Sequence, residues 1–91
     1  MDIFERNYKA VVNRGLITDA TTDIDFHAKL SEEIEEVSEA IINDDAKAID
    51  EEIADCLVVC SNWLIFRGVP LPYILAKIAE KNEKRAKWYR K

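Results

Sequence analysis

The sequence predicts an all-α fold, a bundle of four helices, and three observations lead there. Apolar residues recur at the three-and-four spacing of an amphipathic helix along most of the 91 residues. Glycine and proline number two each, too few to punctuate a protein of many short strands. The breaks that do exist, at Gly15, at Asn43-Asp44-Asp45 and at Gly68 to Pro72, divide the chain into four stretches of helical length. Hydrophobic residues make up 48% of the chain, enough for one modest core in a single domain spanning residues 1–91.

The first helix is expected over Asp2 to Arg14, with Ile3, Phe4, Tyr8, Val11 and Val12 as its apolar face and Gly15 as its stop. Leu16 to Thr22 is a connector. A second helix starts near Asp23 or Asp25, either of which is a suitable cap, and runs to about Ile42. Asn43-Asp44-Asp45 makes a short turn, so the third helix, from about Ala46 to Arg67, returns antiparallel to the second and ends at Gly68. Pro72 suits the first turn of a last helix reaching to about Lys87, with Leu71, Ile74, Leu75, Ile78 and Ala79 on its apolar face. No internal repeat, low-complexity segment or interdomain linker interrupts this order.

Charge is distributed unevenly. The net charge is -5, yet from Asp19 to Asp55 there are fourteen acids against Lys29 and Lys47, and from Lys77 to Lys91 seven bases against two acids. A chain this acidic is a poor partner for duplex nucleic acid. No uncharged stretch of membrane-spanning length is present, so no membrane partner is expected. The opening MDIFERNYK carries acids early and no apolar run, which argues against a signal peptide. Cys56 and Cys60, four apart on one helix, are badly placed for a disulfide and read as buried free thiols of a reducing compartment. The protein is therefore expected to be cytoplasmic.

The chemistry concentrates in the second and third helices. Glu32-Glu33-x-x-Glu36 is followed, across the turn, by Glu52-x-x-Asp55. Residues three apart share a helix face, so Glu33 with Glu36 and Glu52 with Asp55 each form a carboxylate pair. Both pairs border apolar stripes, Ile34, Val37 and Ile41 on one helix and Ile49, Ile53, Leu57 and Cys60 on the other, which are expected to pack together. Antiparallel packing converges the four acids on one spot. Such a cluster repels itself and requires protons or cations, and hard oxygen donors suit Mg²⁺. Glu35, Glu39, Asp50 and Glu51 fall on the solvated face. The lone histidine, His27, reads as a surface residue; Trp63, Phe66 and Tyr73 read as core or subunit contacts, and Trp88 and Tyr89 as a cover for a neighbouring subunit.

EExxE, then ExxD, then Lys81-Asn82-x-x-Arg85 resembles the signature of the MazG-like, all-α nucleoside triphosphate pyrophosphohydrolases. The resemblance extends from Leu30 to Arg85 and includes the Gly68 to Leu71 turn; Asp2 to His27 carries no comparable signature. It implies a four-helix bundle of that enzyme type, assembled as a homodimer or dimer of dimers, that hydrolyses a nucleoside triphosphate to the monophosphate and pyrophosphate. It implies Glu33, Glu36, Glu52 and Asp55 as Mg²⁺ ligands, with Mn²⁺ a substitute. Glu32 and Glu33 become the candidate catalytic acids, Glu32 as ligand, ligand orienter or base for the attacking water. Lys81, Asn82 and Arg85 become the phosphate-binding set. Two other readings stay open: a non-catalytic helical module that oligomerises or binds a partner protein, and the related phosphoribosyl-ATP pyrophosphohydrolase branch, against which the Lys-Asn-x-x-Arg element argues.

Overall fold

The computed structural model describes residues 2–89, with side chains through Arg85, as four α-helices: α1 (Ile3–Asn13), α2 (Asp23–Ile42), α3 (Ala46–Phe66) and α4 (Leu71–Tyr89). Helix starts follow from short polar side chains that accept the first free backbone N–H groups. Asp2 caps α1 by accepting from the Glu5 N–H at 2.8 Å, and Asp45 caps α3 by accepting from Ala48. At α2 the cap is Thr22, not Asp23 or Asp25. Asp25 instead occupies the third helical position and accepts from the Thr22 N–H at 2.8 Å, closing a capping box. That arrangement leaves the Asp23 carboxylate free to reach across to α3.

The first three helices end in the same way. Gly15, Asp44 and Gly68 each adopt positive φ, and in each case the N–H groups there and one residue on bond back to carbonyls in the last turn. Two of these positions are glycine, as such a backbone favours. Asp44, at φ 51, carries a side chain there, which short polar residues tolerate.

α2 and α3 form the main pair, and they are antiparallel. Asp23, at the start of α2, accepts from the Trp63 indole at 2.8 Å and from Arg67 at 2.7 Å, both at the end of α3. These two bonds, the indole first and the guanidinium second, hold the Asp23 carboxyl below its ordinary range. Phe26 lies beneath them, stacked on Trp63 at 5.9 Å and tilted against Phe66 at 5.1 Å. Trp63 and Phe66 are thus half-buried against Phe26, whereas Tyr73, also expected in the core or at a subunit contact, is exposed beneath the Lys77 ammonium. Trp88 and Tyr89 lie outside the residues whose side chains are described. α1 packs on α3, and Ile17 from the connector closes the core with Phe26, Ala40 and Val59.

Two expectations are corrected here. The stripes on α2 and α3 cover each other only in part: Val37, Ile49 and Cys60 are half-buried, but Ile34, Ile41, Ile53 and Leu57 are each more than half exposed. Six residues on these helices are buried instead: Phe26, Glu33 and Ala40 on α2, and Val59, Ser61 and Asn62 on α3. Second, the single chain does not close into a four-helix bundle. α4 leaves α3 at a bend of 113° and, among the described residues, touches α3 alone. The radius of gyration is 15.8 Å, against about 12 Å for a compact chain of this length. Among the described residues no single helix is long and apolar enough to cross a membrane.

Candidate functional site

The acids predicted to converge do so. α2 runs past α3 with Glu33 turned into the interface, where only 6% of it is exposed, while its neighbour Glu32 faces solvent. Carboxylate oxygens of Glu32, Glu33 and Glu36 lie within 4.8 Å of one another, and so do those of Glu33, Glu52 and Asp55. Glu33 is common to both groups. Glu35, Glu39, Asp50 and Glu51 are exposed, as a turn of about 100° per residue requires. The nearest cation is Lys29, one turn before Glu33, with its Nζ 3.1 Å from Glu33 and 3.5 Å from Glu32. Glu33, before Glu32, raises the Lys29 pKa.

One lysine does not satisfy this cluster. Oε2 of Glu33 and Oε2 of Glu52 are buried without a hydrogen-bond partner, and an unpaired buried carboxylate oxygen is costly. The Glu36 carboxyl faces Glu52 and then Glu33, which hold a proton on it and push its pKa from 4.5 up to about 7. The residues therefore fit a divalent cation. Oxygens on one Mg²⁺ at 2.0–2.1 Å lie at most about 4.2 Å apart, so either group reaches an ion by small side-chain rotations. The acids are also the hard donors that Mg²⁺ or Mn²⁺ prefers.

A pH dependence follows for the metal-free protein. Between about pH 4.5 and about 7 the folded chain keeps the Glu36 proton that the unfolded chain has lost. Folding binds the additional proton, so stability is fully present below the unfolded pKa and falls as pH rises through about 7. Thermal melts in EDTA are expected to give a lower midpoint at about pH 8 than at about pH 5, with the difference reduced in Glu36→Gln. An equal dependence in that variant would assign the effect to another group.

Cys56 and Cys60 are free, as expected, but only half-buried. Burial first, and the Glu33 charge next, push the Cys56 thiol pKa up, which keeps it protonated and unreactive. His27 is exposed. Lys81, Asn82 and Arg85 are exposed on α4, and since α4 does not touch α2, one chain does not bring them to the acids.

Beside the acids opens a cavity of about 460 Å³, framed by α1, the connector, α2 and α3. Glu33 and Asp55 line it together with Phe26, Lys29 and Asn62, three residues not singled out by sequence reasoning as site residues. The signal for Asn62 was present: it is a polar residue inside the apolar run Val58 to Phe66, seven after Asp55 and hence on the same helix face.

No curated protein and no solved structure matches the chain. The profile of the MazG nucleotide pyrophosphohydrolase domain matches residues 22–89, beginning at the Thr22 cap, containing both acidic motifs and the Lys-Asn-x-x-Arg element, and leaving α1 outside. The chain belongs to the MazG nucleotide pyrophosphohydrolase domain family.

Proposed function

We propose that this protein hydrolyses a nucleoside triphosphate to the monophosphate and pyrophosphate in a Mg²⁺-dependent reaction. The observation that carries the reading is the pair of oxygen clusters sharing Glu33, set within a MazG domain. When bound, Mg²⁺ supplies charge compensation for the phosphates and an acidified water. The chain's own residues do the rest. Glu33, Glu36, Glu52 and Asp55 hold the cations. Glu32, exposed beside them, is positioned to accept the proton of the attacking water or to orient a ligand. The water oxygen bonds to phosphorus, the bridging P–O bond breaks, and pyrophosphate leaves with the electron pair. Lys81 and Arg85, four apart on one helix face, suit the charge on that leaving group. The free thiols support a cytoplasmic setting, where they remain reduced.

The site as proposed takes Lys81, Asn82 and Arg85 from a second copy, in a homodimer or a dimer of dimers. Two quantities support association. The chain exposes 7238 Å², where a compact monomer of its 10.5 kDa mass exposes about 5,400 Å². Ile34, Ile41, Ile53 and Leu57 contribute to the excess from the α2–α3 pair, and Leu75 and Ile78 from α4. Sedimentation at micromolar concentration is expected to give a dimer or larger, and Leu57→Glu to shift the species toward monomer; a wild-type monomer would remove the proposed source of the phosphate-binding residues.

The function is tested by pyrophosphate release from a panel of nucleoside triphosphates with and without Mg²⁺. Release that requires Mg²⁺ is expected. No release from any triphosphate would leave a helical association module as the better reading.

A further inference from the structure

We propose that the cavity beside the carboxylates is the nucleobase pocket and that Asn62 is the residue that reads the base. The inference rests on the pyrophosphohydrolase reading and specifies how that site selects its substrate. Asn62 is 4% exposed, and its Oδ1 is buried with no hydrogen-bond partner. An amide oxygen left unsatisfied between packed helices is unfavourable unless something fills the site. Its neighbour Ser61 differs, since its hydroxyl donates to the Val58 carbonyl at 2.9 Å. Asn62 stands on the cavity wall, so a rotation of its side chain turns the carboxamide toward the cavity.

Position along α3 makes a nucleotide the matching occupant. Asp55 and Asn62 line the same cavity seven residues apart, two helical turns or about 10 Å, which is the span of a sugar with its base. Phosphates held at the Glu33 and Asp55 end therefore place the base at the Asn62 end. The walls between suit a flat heteroaromatic ring: Ile17, Phe26 and Val59 are buried apolar residues that line the cavity. The volume of about 460 Å³ falls within the range of small-molecule sites. Whichever way its O and N are turned, the Asn62 carboxamide presents an acceptor beside a donor, the complement of the Watson–Crick edge of a base. Phe26 is fixed from behind by Trp63 and Phe66, and Trp63 by Asp23, so the pocket wall is already set.

The experiment compares wild type, Asn62→Leu and Asn62→Asp. It measures kcat/KM over triphosphates of the four bases and the affinity for each nucleoside monophosphate by calorimetry, with the Mg²⁺-induced melting shift as the check that the acidic cluster is intact. In Asn62→Leu the ranking among bases is expected to flatten, and affinity for the favoured monophosphate to fall at least about tenfold, because a site built to hydrogen-bond its ligand discriminates through that bond. Asn62→Asp, of equal size, carries the test should the leucine variant not fold. Its carboxylate only accepts, matching the adjacent N1–H and N2–H donors of guanine, so guanine is expected to rise about tenfold relative to the other bases. Unchanged base ranking and monophosphate affinity in the folded variants would overturn the inference and leave Asn62 a water-satisfied structural residue. Absence of hydrolysis by the wild type for every triphosphate would instead overturn the pyrophosphohydrolase reading, and the pocket assignment with it.

Discussion

Glu36→Gln and Glu52→Gln are expected to lose hydrolysis by tenfold or far more while remaining folded, whereas Glu35→Gln and Glu51→Gln remain close to wild type. The two pairs have nearly identical composition and adjoining positions, so the contrast isolates direction. Glu36 shares a 4.8 Å oxygen cluster with Glu32 and Glu33, and Glu52 shares another with Glu33 and Asp55. Removing one anionic donor weakens the cation and the charge compensation on which water activation depends. Glu35 and Glu51 face solvent, and Glu51 makes only an exposed pair with Lys47 at 3.8 Å, which is worth little. Their substitution is expected to change stability by no more than about 0.5 kcal/mol. Pyrophosphate release by all four variants, with circular dichroism to establish folding, checks the result. Equal activity in the four would refute the converging cluster, and loss confined to the Glu35 and Glu51 variants would mean that the metal-facing side of each helix had been misassigned.

Millimolar Mg²⁺ is expected to raise the melting temperature relative to EDTA at fixed protein concentration, and Mn²⁺ to do the same. A cation that binds only the folded state adds about 2.7 kcal/mol at one hundred times its Kd, which for a domain of this size is a shift on the order of 10 °C. The cluster amplifies the response because the empty acids oppose folding, with Glu33 buried and Glu36 forced to hold a proton near neutrality. Asp55→Asn is expected to abolish the response. In EDTA the same variant should be at least as stable as wild type, since it removes one charge from a repelling group. A midpoint unmoved by Mg²⁺ would remove the metal site. A variant that loses stability in EDTA would show that Asp55 supports the fold instead of straining it.

The helices were legible because their determinants are local. Asp2, Asp45, Gly15 and Gly68 act on backbone groups within a turn of themselves, and the observed boundaries lie within about two residues of those expected from the apolar period and the turn residues. The α2 start is the informative exception. Thr22 followed by Asp25 three residues on is a capping box in sequence, but Asp23 and Asp25 were equally plausible caps until the Asp23 bonds to Trp63 and Arg67 were seen. Those partners lie 40 and 44 residues away, and no local rule reaches them. Asn62 was missed for a similar reason. A polar residue in an apolar run is visible, but the cavity in front of it is made by α1 and the connector, whose contribution depends on how three elements meet.

By itself the sequence determined four helices, the pairing of Glu33 with Glu36 and of Glu52 with Asp55, and their convergence across one short turn, because helical period and turn length set these directly. Only the tertiary structure decided what covers each apolar stripe. Periodicity establishes that Ile34, Ile41, Ile53 and Leu57 form faces, yet it carries no information about the surface opposite, and within one chain those faces are left open while Ala40, Val59 and Asn62 fill the interior. The same limit applies to α4. Its motif was readable, but the 113° bend that carries Lys81, Asn82 and Arg85 away from the acids of their own chain is a property of how the helices pack, since helix-stop residues mark where α3 ends and not where α4 goes.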